Sequence, residues 1–168
     1  MSGKAQRLSF KERTGFHCSE MAGDVRVGRG KTIIDNLYIK DRWSDLYLPL
    51  FMMSYKNVEA FKDFLTCVRL DGTIEDSVLD FRTIACFAPQ LSGNRLKADV
   101  SGTLSGTVSD FTVKDIRISS MAGGFSGVVN GRMKGVPETE DMWIDASVTG
   151  MRLTAGGLGR FVSELPSP

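Results

Sequence analysis

The residues with the greatest intrinsic reactivity are few and scattered. The one histidine, His17, adjoins Cys18, and a thiol beside an imidazole is the raw material of a Cys–His nucleophile. Neighbours on an extended strand face opposite ways, so this pair is not expected to form a dyad. Cys67 and Cys86 complete a set of three cysteines with no CxxC, which matches neither a zinc site nor a disulfide framework. Gly30-Lys31-Thr32 ends like a phosphate-cradling loop, but Val25 stands where GxxxxGK[ST] needs its first glycine. A hairpin turn is the reading that remains. Gly102-Thr103-Leu104-Ser105-Gly106 has leucine where a GxSxG elbow has its nucleophile. Asp71, Glu75, Asp76 and Asp80 lie close in sequence without an EF-hand pattern, and they are expected to bracket a solvated turn. No catalytic residue, metal, nucleotide or other cofactor is expected.

The elements that would position any site must therefore carry the function. The 168 residues suit one domain, and 21 Lys+Arg against 20 Asp+Glu leave a net charge of +1. That balance argues against a dedicated nucleic-acid binder, which normally shows a basic excess clustered on one face. With 42% apolar and 24% charged residues the composition is globular. Leu46–Met53 is apolar but short and broken by Pro49, well under the ~20 residues of a spanning helix. The first residues lack the apolar stretch of a signal peptide. The ends read as cuts from something longer, with residues 1–7 as linker or exogenous sequence, 8–95 as strands plus a helix, and 96–168 as a glycine-rich sheet segment with a terminal helix. These are expected to form one continuous unit.

The fold class read from the pattern is mainly β with minor α. It is an elongated or curled antiparallel sheet with an apolar inner face and two amphipathic helices at about 57–68 and 155–165. Strands are expected at 24–27, 32–35, 37–40 and from Leu46, where Leu46, Leu48, Leu50 and Met52 alternate on one face. Asn57 is a fitting N-cap for a helix with apolar residues at 58, 61, 64, 65 and 68, a spacing that predicts a core stripe. Strands return at 70–74 and 78–81, followed by a short helical turn before Pro89.

From Leu96 the period-two pattern is cleanest: Leu96, Ala98, Val100, Gly102, Leu104, Gly106 and Val108 share one face. It resumes after a break at Asp110, with Phe111 and Val113, then Ile116 and Ile118, and again in 125–135 and 142–150. Val100, Leu104, Val108, Val129, Met133, Ile144 and Val148 are the candidate lining of an apolar groove. Phe61, Phe64, Phe161 and Val162 are the candidate helix plug. Twelve of the 18 glycines follow residue 90. At inward positions they serve either close backbone packing, the favoured use, or an acyl chain.

The runs LKADVSGTLSGTVSDFTVKDIRIS and GFSGVVNGRMKGVPETEDMWIDASVTGMRLTAGGLGRF resemble the AsmA-like family, in particular its translocation and assembly module branch. Upstream, MSYKNVEAFKDFLTCVRLDGTI and CFAPQLSGNRL resemble the same family's linking region. The similarity extends from about Leu8 onward and rests on strand and turn patterns. It implies an interior periplasmic segment of a protein anchored in the inner membrane and reaching the outer membrane. Such a segment would form a lengthwise apolar groove for phospholipid acyl chains or serve outer-membrane protein assembly. An outer-membrane barrel would meet other parts of the parent. Two alternatives stay open: a scaffold or interaction module whose apolar face is closed by its own helices, and a small-ligand-binding β-domain unconnected with a bilayer.

Overall fold

A computed structural model describes residues 2–11, 17–86, 95–121, 123–135 and 143–154. Nine antiparallel strands follow one another in a single open sheet, each paired with its sequence neighbour. They are β1 (Ser2–Lys11), β2 (His17–Gly28), β3 (Lys31–Lys40), β4 (Asp45–Ser54), β5 (Arg69–Asp80), β6 (Lys97–Thr107), β7 (Asp110–Ser120), β8 (Phe125–Lys134) and β9 (Trp143–Leu153). The expected mainly-β antiparallel sheet is therefore present. Tight turns join β2 to β3 and β6 to β7, whereas residues 55–68 and 81–96 connect β4 to β5 and β5 to β6. At Arg29–Gly30, Gly30 has φ +72°, so Gly30-Lys31-Thr32 is indeed a hairpin turn leading into β3.

A line of irregularities crosses the sheet. Positive φ occurs at Asn36 in β3, Asp76 in β5, Gly102 in β6, Asp115 in β7 and Gly150 in β9. Pairing shifts register beside them, between Ile74 and Ser77, Ser101 and Thr103, Val113 and Ile116, and Ser126 and Val128. The positions are neighbours: Ile74 pairs with Gly102, and the Asp115 N–H donates to Asn130 Oδ1 at 2.9 Å on the next strand. Asn, Asp and Gly are the residues that tolerate this backbone. Each bulge adds one residue to one strand, bends it and increases the local twist.

That line corrects two readings of the alternation. Leu46 and Leu48 share a face with Phe51 and Met53, all packed with Ile34 and Leu37, whereas Leu50 lies 49% exposed on the other face. The phase reverses at Pro49, which sits across from the positive-φ Asn36 between the pairs Asp35–Leu50 and Leu37–Leu48. The acidic run from Asp71 to Asp80 does not bracket a turn either. It lies along one twelve-residue strand, β5, and the bulge at Glu75–Asp76 turns both side chains to solvent.

The core is one-sided. Ile34, Leu37 and Leu48 are buried, with Met21, Val25, Ile39, Leu46, Phe51, Met53, Ile74 and Leu104 packed around them. Full burial of one such leucine stabilises by roughly 2 kcal/mol. The expected helix at 57–68 is a 3-10 turn, Val58–Asp63, running into one α-turn, α1 (Phe64–Cys67). Neither buries a residue. The predicted core stripe is absent because this segment connects β4 and β5 at one end of the sheet, and only Val68, just past it, is buried. A second short helix, α2 (Phe81–Ala85), begins where the Asp80 carboxylate accepts from the Arg82 N–H. The expected helix at 155–165, with Phe161 and Val162, lies outside the described residues.

Candidate functional site

The apolar face of β6–β9 assembles most of the candidate groove residues. Across the strands Val100 pairs with Ile118 and Gly127 follows in the same row. Leu104, Val113, Gly131 and Ala146 form a second row. Ile116, Val129 and Val148 form a third, and Phe111, Met133 and Ile144 a fourth. Val108 is not among them: it sits in the β6–β7 turn, because the strand ends at Thr107. Sequence reading missed Met151 and Leu153 on β9, which the bulge at Gly150 returns to this face. The same device sets Ile116 and Ile118 back in phase after Asp115, and the uneven 113-to-116 spacing is its signature in the sequence.

Burial falls away across these strands. Ala98 and Val100 on β6 are buried, the β7 and β8 residues are half-buried, and β9 is exposed along its whole length. Ile144, Val148 and Met151 are 52%, 50% and 54% exposed. An apolar face opening toward a sheet edge is a docking or ligand surface unless something covers it. Of the candidate plug, Phe61 stacks edge-on to Tyr55 at 4.7 Å and tilts against Phe64 at 6.1 Å. Phe61 is exposed and Phe64 half-buried, so these rings cover one another beside the end of β4.

Glycines on this face serve close packing. A Cβ on Gly102 would lie 2.6 Å from Ile116 Cδ1, and one on Gly106 would lie 2.7 Å from Phe111 Cα. The space that glycine leaves is filled by the neighbouring strand, with none remaining there for an acyl chain.

A second constellation is buried and polar, at the end of the sheet where the β3–β4 turn meets α2. Asp41 Oδ1 accepts from the N–H groups of Trp43 and Ser44, at 2.5 and 2.6 Å. Its Oδ2 accepts from the Thr83 hydroxyl at 2.6 Å. Thr83 in turn accepts from the Ser44 hydroxyl at 2.7 Å, and Ser44 Oγ accepts the Asp80 N–H at 2.9 Å. Beside them the buried Asp80 carboxylate takes both Arg82 Nε and Nη2, and the Arg82 guanidinium lies over the Trp43 ring. Every polar partner is satisfied, so the cluster works as a clasp joining three segments, with no group left to act on a substrate. Its long-range pairings, 36 to 42 residues apart, leave no local mark in the sequence.

Burial pushes the Asp80 carboxyl pKa upward, but the side-chain and backbone donations of Arg82 outweigh it and hold the pKa below the ordinary 3.8. A depressed pKa stabilises the fold above the unfolded value, and that contribution is lost as pH falls through the folded one. The expected result is that wild type is more stable than Asp80→Asn at pH 7, and that the gap narrows below about pH 3.8. Urea unfolding across pH 2–7 measures it; a gap constant with pH would refute the role given to Asp80.

The reactive residues noted first remain apart. His17 is exposed and Cys18 buried, as alternation on β2 requires. Burial raises the thiol pKa of Cys18, whose Sγ donates to the Glu20 carbonyl, and burial also raises that of Cys86. Among the described residues no three His, Cys, Asp or Glu side chains are arranged to hold a metal ion, and no helix is long and apolar enough to cross a membrane. Comparison with protein-family models, curated proteins and solved structures gives no match.

The opposite, polar face carries clefts between its long side chains. One of them, about 820 Å³, crosses β5–β9 and is lined by Asp76, Asp99, Ser101, Arg117, Ser119, Ser126, Val128 and Arg152 among others.

Proposed function

We propose that this chain is a non-enzymatic periplasmic segment of an envelope protein of the TamB-like, AsmA-like kind. In this reading the apolar face of β6–β9 is part of a hydrophobic groove for phospholipid acyl chains moving between the inner and outer membranes, or for outer-membrane proteins during assembly. The observation that carries it is the open face: a meander of nine strands whose apolar side grows more exposed from β6 to the edge strand β9. A sheet built to close on itself as a sandwich would bury that side against a second layer. An edge strand with apolar residues facing out suits continuation of the sheet by further strands of a longer protein.

The test is site-specific photocrosslinking from Leu104 and Val129 in the full-length parent within intact cells. Lipid adducts at both positions, and none from Thr112 on the polar face, are the expected outcome. Absence of any lipid adduct sinks the lipid-groove role for this segment, and adducts to unfolded outer-membrane proteins instead would assign it to assembly.

A further inference from the structure

We propose that the cleft on the polar face of β5–β9 binds a small zwitterion in which a phosphate ester is joined to a primary amine. The proposal does not depend on what occupies the apolar face.

The argument starts from charge pairing. Elsewhere on the polar face arginines are neutralised: Arg26 forks onto Asp35, Arg69 onto Asp71, and Arg132 onto Asp110 at 2.7 Å through both nitrogens. Arg117 and Arg152 have no such partner among the described residues, nor have Asp76 and Asp99, and all four line one cleft of about 820 Å³. Unpaired exposed charges are common singly. Two guanidiniums and two carboxylates, none of them in an ion pair among the described residues, thus line one concavity.

Register orders them. Asp99 pairs with Ser119, Ser119 with Ser126, and Ser126 with Arg152. One row across four strands thus has an acid at one end, a base at the other and two hydroxyls between. Arg117 flanks the row two residues along β7, opposite Ser101, which puts it diagonal to Asp99 at about 7–8 Å. Asp76 stands on the β5 bulge at the acidic end. An anion with three acceptor oxygens placed over Ser119 and Ser126 meets guanidinium forks from both sides, the geometry arginine is suited to. An ammonium two carbons away then reaches the carboxylates of Asp99 and Asp76.

The same headgroup chemistry occurs on a soluble phosphoamine and on a phospholipid, so the experiment separates them. Calorimetry at low ionic strength compares O-phosphoethanolamine with inorganic phosphate, and flotation compares phosphatidylethanolamine with phosphatidylcholine vesicles. The expected result is at least tenfold tighter binding of O-phosphoethanolamine than of inorganic phosphate. The doubly substituted R117Q/R152Q protein should lose at least tenfold, and D99N should lose the preference over inorganic phosphate while still binding phosphate. These side chains are exposed, so the variants are expected to keep the wild-type circular dichroism. Binding to phosphatidylethanolamine vesicles alone assigns the source as a membrane headgroup, and binding in solution assigns a free metabolite. Binding of neither form, affinity unchanged in R117Q/R152Q, or equal affinity for inorganic phosphate with no effect of D99N each overturns the proposal.

Discussion

Asp41→Ala is expected to lower stability by about 3–5 kcal/mol, the range for leaving a group of buried donors without their charged acceptor. The substitution strands the Trp43 and Ser44 N–H groups and the Thr83 hydroxyl, all of which point at this carboxylate. Ser44 and Thr83 are themselves buried, so water cannot substitute freely for the lost oxygens. The loss propagates along the chain of hydroxyls to the Asp80 N–H, loosening the contact between the β3–β4 turn and α2. Asp41→Asn keeps one acceptor oxygen and is expected to recover part of the loss. Urea unfolding of wild type and both variants at pH 7 measures it. A cost below about 1 kcal/mol for Asp41→Ala would show that the clasp contributes no more than an ordinary surface hydrogen bond.

Gly106→Ala should be comparably damaging, at about 3 kcal/mol or more, for a steric rather than a polar reason. Gly106 has φ +130°, a backbone that L side chains rarely adopt. Its missing Cβ would also meet the backbone of Asp110 and Phe111, the latter at 2.7 Å. Both are main-chain groups of the paired strand, held by the tight turn from Thr107 to Asp110, so they have no side-chain rotamer with which to yield. Gly123→Ala is the control. That glycine also has positive φ, +59°, but nothing lies within 4 Å of its Cβ position. Its cost should stay near the ~1 kcal/mol of the backbone effect alone. Thermal melts of the two variants separate the terms; equal costs would show that close strand approach at Gly106 contributes nothing.

Much of the architecture was legible because its code is local. Period-two alternation over 96–108, 125–135 and 142–150 identifies strands that bury one face. The Gly30-Lys31-Thr32 turn is legible as a hairpin connection. Within each strand alternation puts Val100 with Leu104, Val129 with Met133, and Ile144 with Val148, and the pairing of the strands aligns those faces. Helical spacing at 58–68 was legible as a helix but misread as a core stripe. Periodicity reports that one side is apolar, not that a surface exists to receive it, and Phe61 instead packs on Tyr55.

The residue pattern alone specifies an antiparallel sheet with one apolar and one polar face, few reactive side chains and a net charge of only +1. Tertiary structure decided the rest. The phase of each face depends on bulges at Asn36, Asp76, Asp115 and Gly150, and one inserted residue exchanges the two faces of everything beyond it. The openness of the apolar side depends on which elements lie over it, a matter of distance in space and not in sequence. The clasp of Asp41, Ser44 and Thr83, and the row from Asp99 to Arg152, are made by residues far apart in the chain. Hydrogen bonds and charges act over a few ångströms, so only the pairing of strands could bring those groups together.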